Sequence, residues 1–409
     1  MAVRPTPEYA AKVAALPYDV MNSDEARAKV KDNPYSFLHV DKPEVDLDPS
    51  IDPYDARVYA KAQENLIKLE TEGICVQDPR NYYYIYCQTM DGRKQYGLVG
   101  CLAIDDYISG KIKKHEHTRA DKEEDRTRHM DTLDANTGPI FLAHRPNAEL
   151  FAITSAWQQN HNPQYDFIAD DGVGHTVWLI DDAQVIAGIE KCFLNIDALY
   201  IADGHHRCAS AANVAERRRK ENPDCTGKEE FNFFLAVVFP SDELEILDYN
   251  RLVKDLNGLG KDELIAKLRE SFIVEPYADK GPMRPDAKHA FGMYLDKTWY
   301  KLTAKTEIFD ESDSMERLDV SIMQNKLLSP ILGIGDPRVD KRIDFVGGIR
   351  GLKELENRVD NGNAAVAFSM FPTTLDDLMA IADANRVMPP KSTWFEPKLR
   401  SGLFIHKLS

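Results

Sequence analysis

The sequence predicts a mixed α/β fold (α/β, or α+β) divided over more than one domain. Three observations carry that expectation. Residues 148–240 alternate helix-like and strand-like stretches, the pattern of helices packed on a buried sheet. Within them the apolar run Ala198–Ala202 passes through Asp203-Gly204 directly into the small-residue helix His205–Lys220. The chain, at 409 residues, exceeds what one hydrophobic core organises.

The expected division is a mixed α/β region with a hairpin over 1–110, a core over 111–240 and a C-terminal α/β domain over 241–409. Residues 1–48 are punctuated by proline and read as irregular. Asp52 to Gly73 reads as a helix, with Val58, Leu66, Ile67 and Leu69 as its apolar face and Gly73 as its stop. Asn81–Thr89 and Gln95–Asp105 are strand-like, and Met90-Asp91-Gly92-Arg93 supplies a hairpin turn. Arg119–Leu133 looks helical but almost lacks an apolar stripe, so a surface or the wall of a polar cleft is expected.

Pro139–Ala143 reads as a short buried strand. Helices are expected at Ala148–Gln159 and Asp182–Cys192, and strands at Tyr165–Ala169, His175–Ile180 and Phe231–Phe239. Ala198–Ala202 and Phe231–Phe239 are so apolar that both should be buried strands of one sheet. Past Pro240 the elements restart with Leu244–Tyr249 and helix Lys261–Ser271. Strands within Ala290–Tyr300, helix Met315–Leu328, strand Ala364–Phe368 and helix Thr373–Asn385 follow.

Charge and composition narrow the function. A net charge of −16 repels nucleic-acid phosphates and anionic membranes, so neither is an expected partner. The one basic run, Arg217-Arg218-Arg219-Lys220, falls at a helix end, where cations suit the dipole. Six scattered cysteines without a CxxC pair fit reduced thiols. No stretch nears the ~18 apolar residues of a membrane span, and Met1 to Val20 lacks the order of a signal peptide. A cytoplasmic location is therefore expected.

Leu199–Lys220 carries the strongest chemical signal. A helix N-terminus offers unpaired N–H groups and partial positive charge, which together make an anion site. Gly204 admits a ligand close to the backbone, and His205, His206 and Arg207 add donors, the arginine with bidentate reach to phosphate. Asp203 could hold Mg²⁺ or merely cap the helix. In Lys114-His115-Glu116-His117-Thr118 the histidines are metal-ligand candidates, and the carboxylate among cations is a candidate general base. Pro389-Pro390-Lys391-Ser392-Thr393 presents a stiffened cluster for phosphate or carboxylate, or a plain structural wrap. Gly347-Gly348-Ile349-Arg350-Gly351 lacks both phosphate-loop spacings and reads as a turn.

Asp-Gly-His-His-Arg after an apolar strand resembles the signature of the ParB/sulfiredoxin-like superfamily, and within it the free L-serine kinases. Those enzymes pair an upstream His-Glu with Asp-Gly-His-His-Arg and end in a Pro-Pro-Lys-Ser/Thr-type segment. The matching positions are His115-Glu116, Asp203 to Arg207 and Pro390 to Thr393. Pro17-Tyr18-Asp19-Val20, Asn33-Pro34-Tyr35, Lys114-His115-Glu116 and the Pro-Pro-Lys-Ser-Thr ending also resemble the DUF1015 family. The first 110 residues have no counterpart in the compact archaeal kinases.

The resemblance implies a nucleotide-binding ParB/sulfiredoxin-like core and transfer of a phosphoryl group from ATP or ADP, with Mg²⁺, to the hydroxyl of L-serine or a similar compound. It implies Glu116 as the base, Asp203 as metal ligand or acceptor guide, and His206 as a third catalytic residue. Gly204, His205, His206 and Arg207 would hold the nucleotide phosphates, with His115, Lys391, Ser392 and Thr393 on substrate or phosphate. Two alternatives stand beside it. One is a metal-dependent phosphohydrolase with His115, His117, His205 and His206 converging on the ion. The other is a non-catalytic nucleotide-binding regulator.

Overall fold

The computed structural model describes every residue except Lys280. It is mixed α/β, and its chain forms two units. The first comprises Met1–Leu244 with Pro397–Ser409, the second Glu245–Glu396. The sequence places a break after residue 110, and the structure does not. Tyr83–Met90 and Arg93–Ala103 lie inside the same eight-stranded sheet as Leu199–Asp203, so 1–110 and 111–240 share one body. The last thirteen residues return to it as well.

That sheet runs, edge to edge, Ile112–Lys113, Leu199–Asp203, Ile140–His144, Phe233–Pro240, Arg93–Ala103, Tyr83–Met90, Gly174–Ile180, Tyr165–Ile168. Both strands expected to be buried are so, and both belong to it. The hairpin turns at Asp91-Gly92, whose φ values of 51° and 80° give the paired left-handed residues of a tight two-residue turn. Helices Ala148–Asn160, Ala183–Leu194 and His205–Glu221 contribute Leu150, Trp157, Ile189, Cys192 and Val214 to the core against the sheet. Asp182 fixes the start of one of them, its Oδ1 accepting from the N–H groups of Gln184 and Val185.

A four-stranded sheet orders Cys75–Gln77, Ala2–Pro5, Ile405–Lys407 and Ala135–Asn136, so the C-terminal strand threads between an early strand and a middle one. Beside it Val3, Phe37, Val40, Leu66, Leu133 and Ile405 form a second core, into which residues 1–48 pack.

Of the two expected placements of helix Ala120–Leu133, a surface or a polar cleft, one face takes the cleft. Arg126, His129 and Met130 line a polar cavity, and Asp125, Thr127, His129, Met130 and Leu133 are buried. Asp121, Glu124 and Arg128 stay exposed. Two of its buried polar side chains are paired across to other elements. Tyr59 donates to Asp125 at 2.9 Å, and His129 bonds the Val40 carbonyl at 2.9 Å. The basic run closes the far end, Arg218 meeting Asp131 and Asp134.

The second unit is built on a six-stranded antiparallel sheet ordered Phe272–Pro276, Thr298–Ala304, Ala290–Leu295, Val366–Met370, Tyr249–Val253, Ile343–Gly347. Helix Lys261–Ser271 appears as expected. The element expected over Leu244–Tyr249 lies later, as the strand Tyr249–Val253, and helix Met315–Leu328 shortens to Asp319–Met323 followed by a π-helical turn to Leu328. Among the described residues no helix is long and apolar enough to cross a membrane.

Candidate active site

Strand Leu199–Asp203 ends at Gly204, whose φ of 97° turns the chain into helix His205–Glu221. Two constraints select glycine there. An L side chain is strained at that φ, and a Cβ would stand 3.1 Å from Arg207 Nε, because the guanidinium folds back over the turn. No side chain caps the helix, so its first-turn N–H groups and positive dipole end remain for water or an anion.

A two-residue ladder brings the distant His-Glu pair here. Ile112–Lys113 pairs in parallel with Leu199–Tyr200, so the residues that follow advance beside Ile201 to Asp203. The rings of His115 and His205 meet edge to face with centroids 4.5 Å apart. Glu116 Oε2 lies 3.9 Å from His205 Nδ1. His115, Glu116 and His205 each offer a ligand atom, all within 4.8 Å of one another. The two imidazoles are buried, whereas the Glu116 side chain is 46% exposed.

Electrostatics divide these groups. Burial pushes His115 down to about 4, against the pull of the Ile201 backbone bond and Asp203. Burial and the neighbouring His115 push His205 well below the ordinary range. Both are neutral at pH 7, able to donate or accept. His206 is also pushed down, mainly by burial, and its Nε2 accepts from the Arg119 N–H at 3.1 Å, which requires that nitrogen to be unprotonated.

Asp203 behaves differently. Burial opposes its charge, yet Lys398 and Arg207 hold the carboxyl well below the usual carboxylate range. Its Oδ1 accepts from Gly204 N at 2.8 Å, and its Oδ2 takes Lys398 Nζ at 3.1 Å. As a Mg²⁺ ligand it fits poorly as it stands. Both oxygens are engaged, and a divalent cation at Oδ2 would have to displace an ammonium group.

Arg207 is 9% exposed and donates to the Pro139 carbonyl. Burial weighs against its charge, but Asp203, Asp19, Tyr18 and Asp41 together keep it protonated. It lines an inner cavity of about 30 Å³, room for about one water, with Tyr18, Asp41, Arg126 and Thr137. Arg126 lies over the Tyr18 ring at 4.1 Å. The Pro17–Val20 motif therefore supports Arg207 from behind.

The structure thus gathers His115, Glu116, Asp203, Gly204, His205, His206 and Arg207. His117 stands outside the three-residue cluster and is exposed, and His206 is engaged by Arg119. Four histidines on one ion, as the phosphohydrolase reading requires, are not what the chain forms. Lys391, Ser392 and Thr393 belong to the second unit. There Lys391 adopts a φ of 60°, its carbonyl accepts from Arg251 Nη2 at 3.1 Å, and Ser392 Oγ donates to the Pro389 carbonyl at 2.6 Å. Sequence reasoning assigns Lys398 no role, although it follows the Pro-Pro-Lys-Ser-Thr segment by only a few residues and lies 12% exposed against Asp203.

No curated protein matches the chain. Among solved structures it is similar to a free serine kinase in complex with AMP, at 16% identity and a TM-score of 0.36, covering 73% of this chain and 86% of that one. A conserved hypothetical protein from Pyrococcus furiosus aligns at 15% identity and a TM-score of 0.35, over 74% and 93%. SbnI with a C-terminal truncation, from Staphylococcus aureus, aligns at 12% identity and a TM-score of 0.36, over 73% and 82%. A family model described as a protein of unknown function matches residues 1–321, ending before Lys391, and by that match the chain belongs to the DUF1015 family.

Proposed function

We propose that the protein is a small-molecule kinase that transfers a phosphoryl group from ATP or ADP to the hydroxyl of free L-serine, giving O-phosphoserine. One observation carries the reading: a half-exposed carboxylate, Glu116, stands at the uncapped N-terminus of a 17-residue helix, beside two neutral imidazoles. Phosphoryl transfer needs an anion cradle and a base at one point, and these groups have that chemistry. The motif resemblance to free L-serine kinases supplies the acceptor.

The donor's phosphates rest on the first-turn N–H groups after Gly204, with His205 and His206 as neutral donors. Glu116 takes the proton of the acceptor hydroxyl as the oxygen attacks phosphorus. Arg207, turned inward, holds the Gly204 turn in shape. Lys398 keeps Asp203 charged and oriented. Asp203, with both oxygens engaged by Gly204 N and Lys398, serves the turn and not a metal.

The test is incubation with Mg²⁺, ATP or ADP and a panel of free amino acids, read by mass spectrometry. The reading expects a mass gain of one phosphate on serine. No phosphorylated amino acid with either nucleotide would refute it, and phosphate release without any acceptor would point to a hydrolase.

A further inference from the structure

We propose that His115, Glu116 and His205 form a binding site for a first-row transition metal ion of the Zn²⁺ or Co²⁺ class, and that an ion there blocks the base. The binding half stands on geometry alone; the blocking half rests on the kinase reading.

Two imidazoles and one carboxylate within 4.8 Å are the donors of a three-ligand site. Metal–ligand bonds of about 2.0–2.2 Å in tetrahedral array set ligand atoms about 3.4 Å apart. The 3.9 Å between His205 Nδ1 and Glu116 Oε2 is already close to that. The His115 ring is fixed from behind by its bond to the Ile201 backbone, the kind of support that orients metal-bound histidines. Imidazole with one carboxylate favours zinc, cobalt or nickel over magnesium or calcium, which take oxygen ligands.

The consequence follows from there being one carboxylate in the cluster. An ion bound through Glu116 occupies the lone pair that would otherwise accept the acceptor's proton. The ion also sits where the hydroxyl must approach. Magnesium carried on nucleotide and a transition metal on this cluster therefore act oppositely.

Metal-stripped protein is titrated with Co²⁺ by calorimetry and visible absorption. The proposal expects one ion per chain and d–d bands without a thiolate charge-transfer band. Glu116→Gln and His205→Asn should each weaken binding about tenfold or more. Glu116 is exposed enough that its variant keeps the fold even if the His205 variant does not. Absence of stoichiometric binding, or binding unchanged by Glu116→Gln, overturns the site. In the kinetic arm, one equivalent of Co²⁺ should stop serine phosphorylation in excess Mg²⁺, and a chelator should restore it. Undiminished turnover at full occupancy, or phosphate release by the cobalt-loaded protein, overturns the blocking half. A metal-free protein without any kinase activity counts against the kinase reading, and the binding titration decides the site independently.

Discussion

Lys398→Met tests whether the C-terminal segment holds the phosphate-site turn together. The ammonium lies 3.1 Å from Asp203 Oδ2, with the lysine side chain 12% and the aspartate 26% exposed. At that distance, with an effective dielectric of about 20, the attraction is about 5 kcal/mol. The Gly204 N–H and the nearby Arg207 still stabilise the carboxylate in the variant, and partial exposure lets water replace some of the rest. Methionine keeps the apolar stem. The net loss should be about 2–3 kcal/mol, at the low edge of what breaking a buried pair costs. The readout is hydrogen exchange of the amides in His205–Glu221, which reports on this helix locally and should speed up about 30- to 150-fold at pH 7. Asp203 is held below the usual carboxylate range, so this stabilisation is present above its ordinary pKa and fades only in strong acid. Adding Asp203→Asn should recover most of the loss. A change of less than about threefold, or a double variant no better than the single one, would refute the argument.

Gly204→Ala should destabilise the same helix by about 2 kcal/mol or more, since φ is 97° and the new Cβ meets Arg207 Nε at 3.1 Å; an unchanged exchange profile would contradict this. His406 is pushed up to about 9: burial opposes its charge, but Cys101 and the Glu230 carboxylate 2.8 Å away outweigh it. A raised pKa stabilises below the ordinary value of about 6.5 and ceases to do so as pH rises through about 9. Glu230→Gln should therefore cost about 1–2 kcal/mol at pH 6 and almost nothing at pH 10, because Glu230 is half exposed; equal losses at both pH values would contradict the assignment.

What the sequence made legible depended on how local the cause was. Helix His205–Glu221 was readable to within a residue because an apolar strand, a glycine and a run of small residues adjoin. The 91–92 turn was readable from Asp-Gly. Which of its two expected placements helix Ala120–Leu133 takes is not legible, because periodicity equates burial with apolarity. Here Asp125 and His129 are buried through bonds to Tyr59 and Val40, which come from remote segments. The site divides the same way. Asp-Gly-His-His-Arg announces itself, but Arg207's inward turn depends on Gly204 lacking a Cβ and on the Pro139 carbonyl. His115 and Glu116 reach the helix through a ladder of two residues, too short to leave a pattern. Lys398 arrives with the C-terminal return of the chain, which nothing local encodes.

Glu116 is proposed as the base of phosphoryl transfer to free serine. Its most direct test is the rate of O-phosphoserine formation, by mass spectrometry, in the wild type and in Glu116→Gln at saturating nucleotide, Mg²⁺ and serine. Glutamine keeps shape and hydrogen bonding without accepting the proton, and its exposed position protects the fold. Nucleotide affinity should be unchanged and the rate lower by about 10² or more. Near-normal phosphoserine formation by the Gln variant would contradict it.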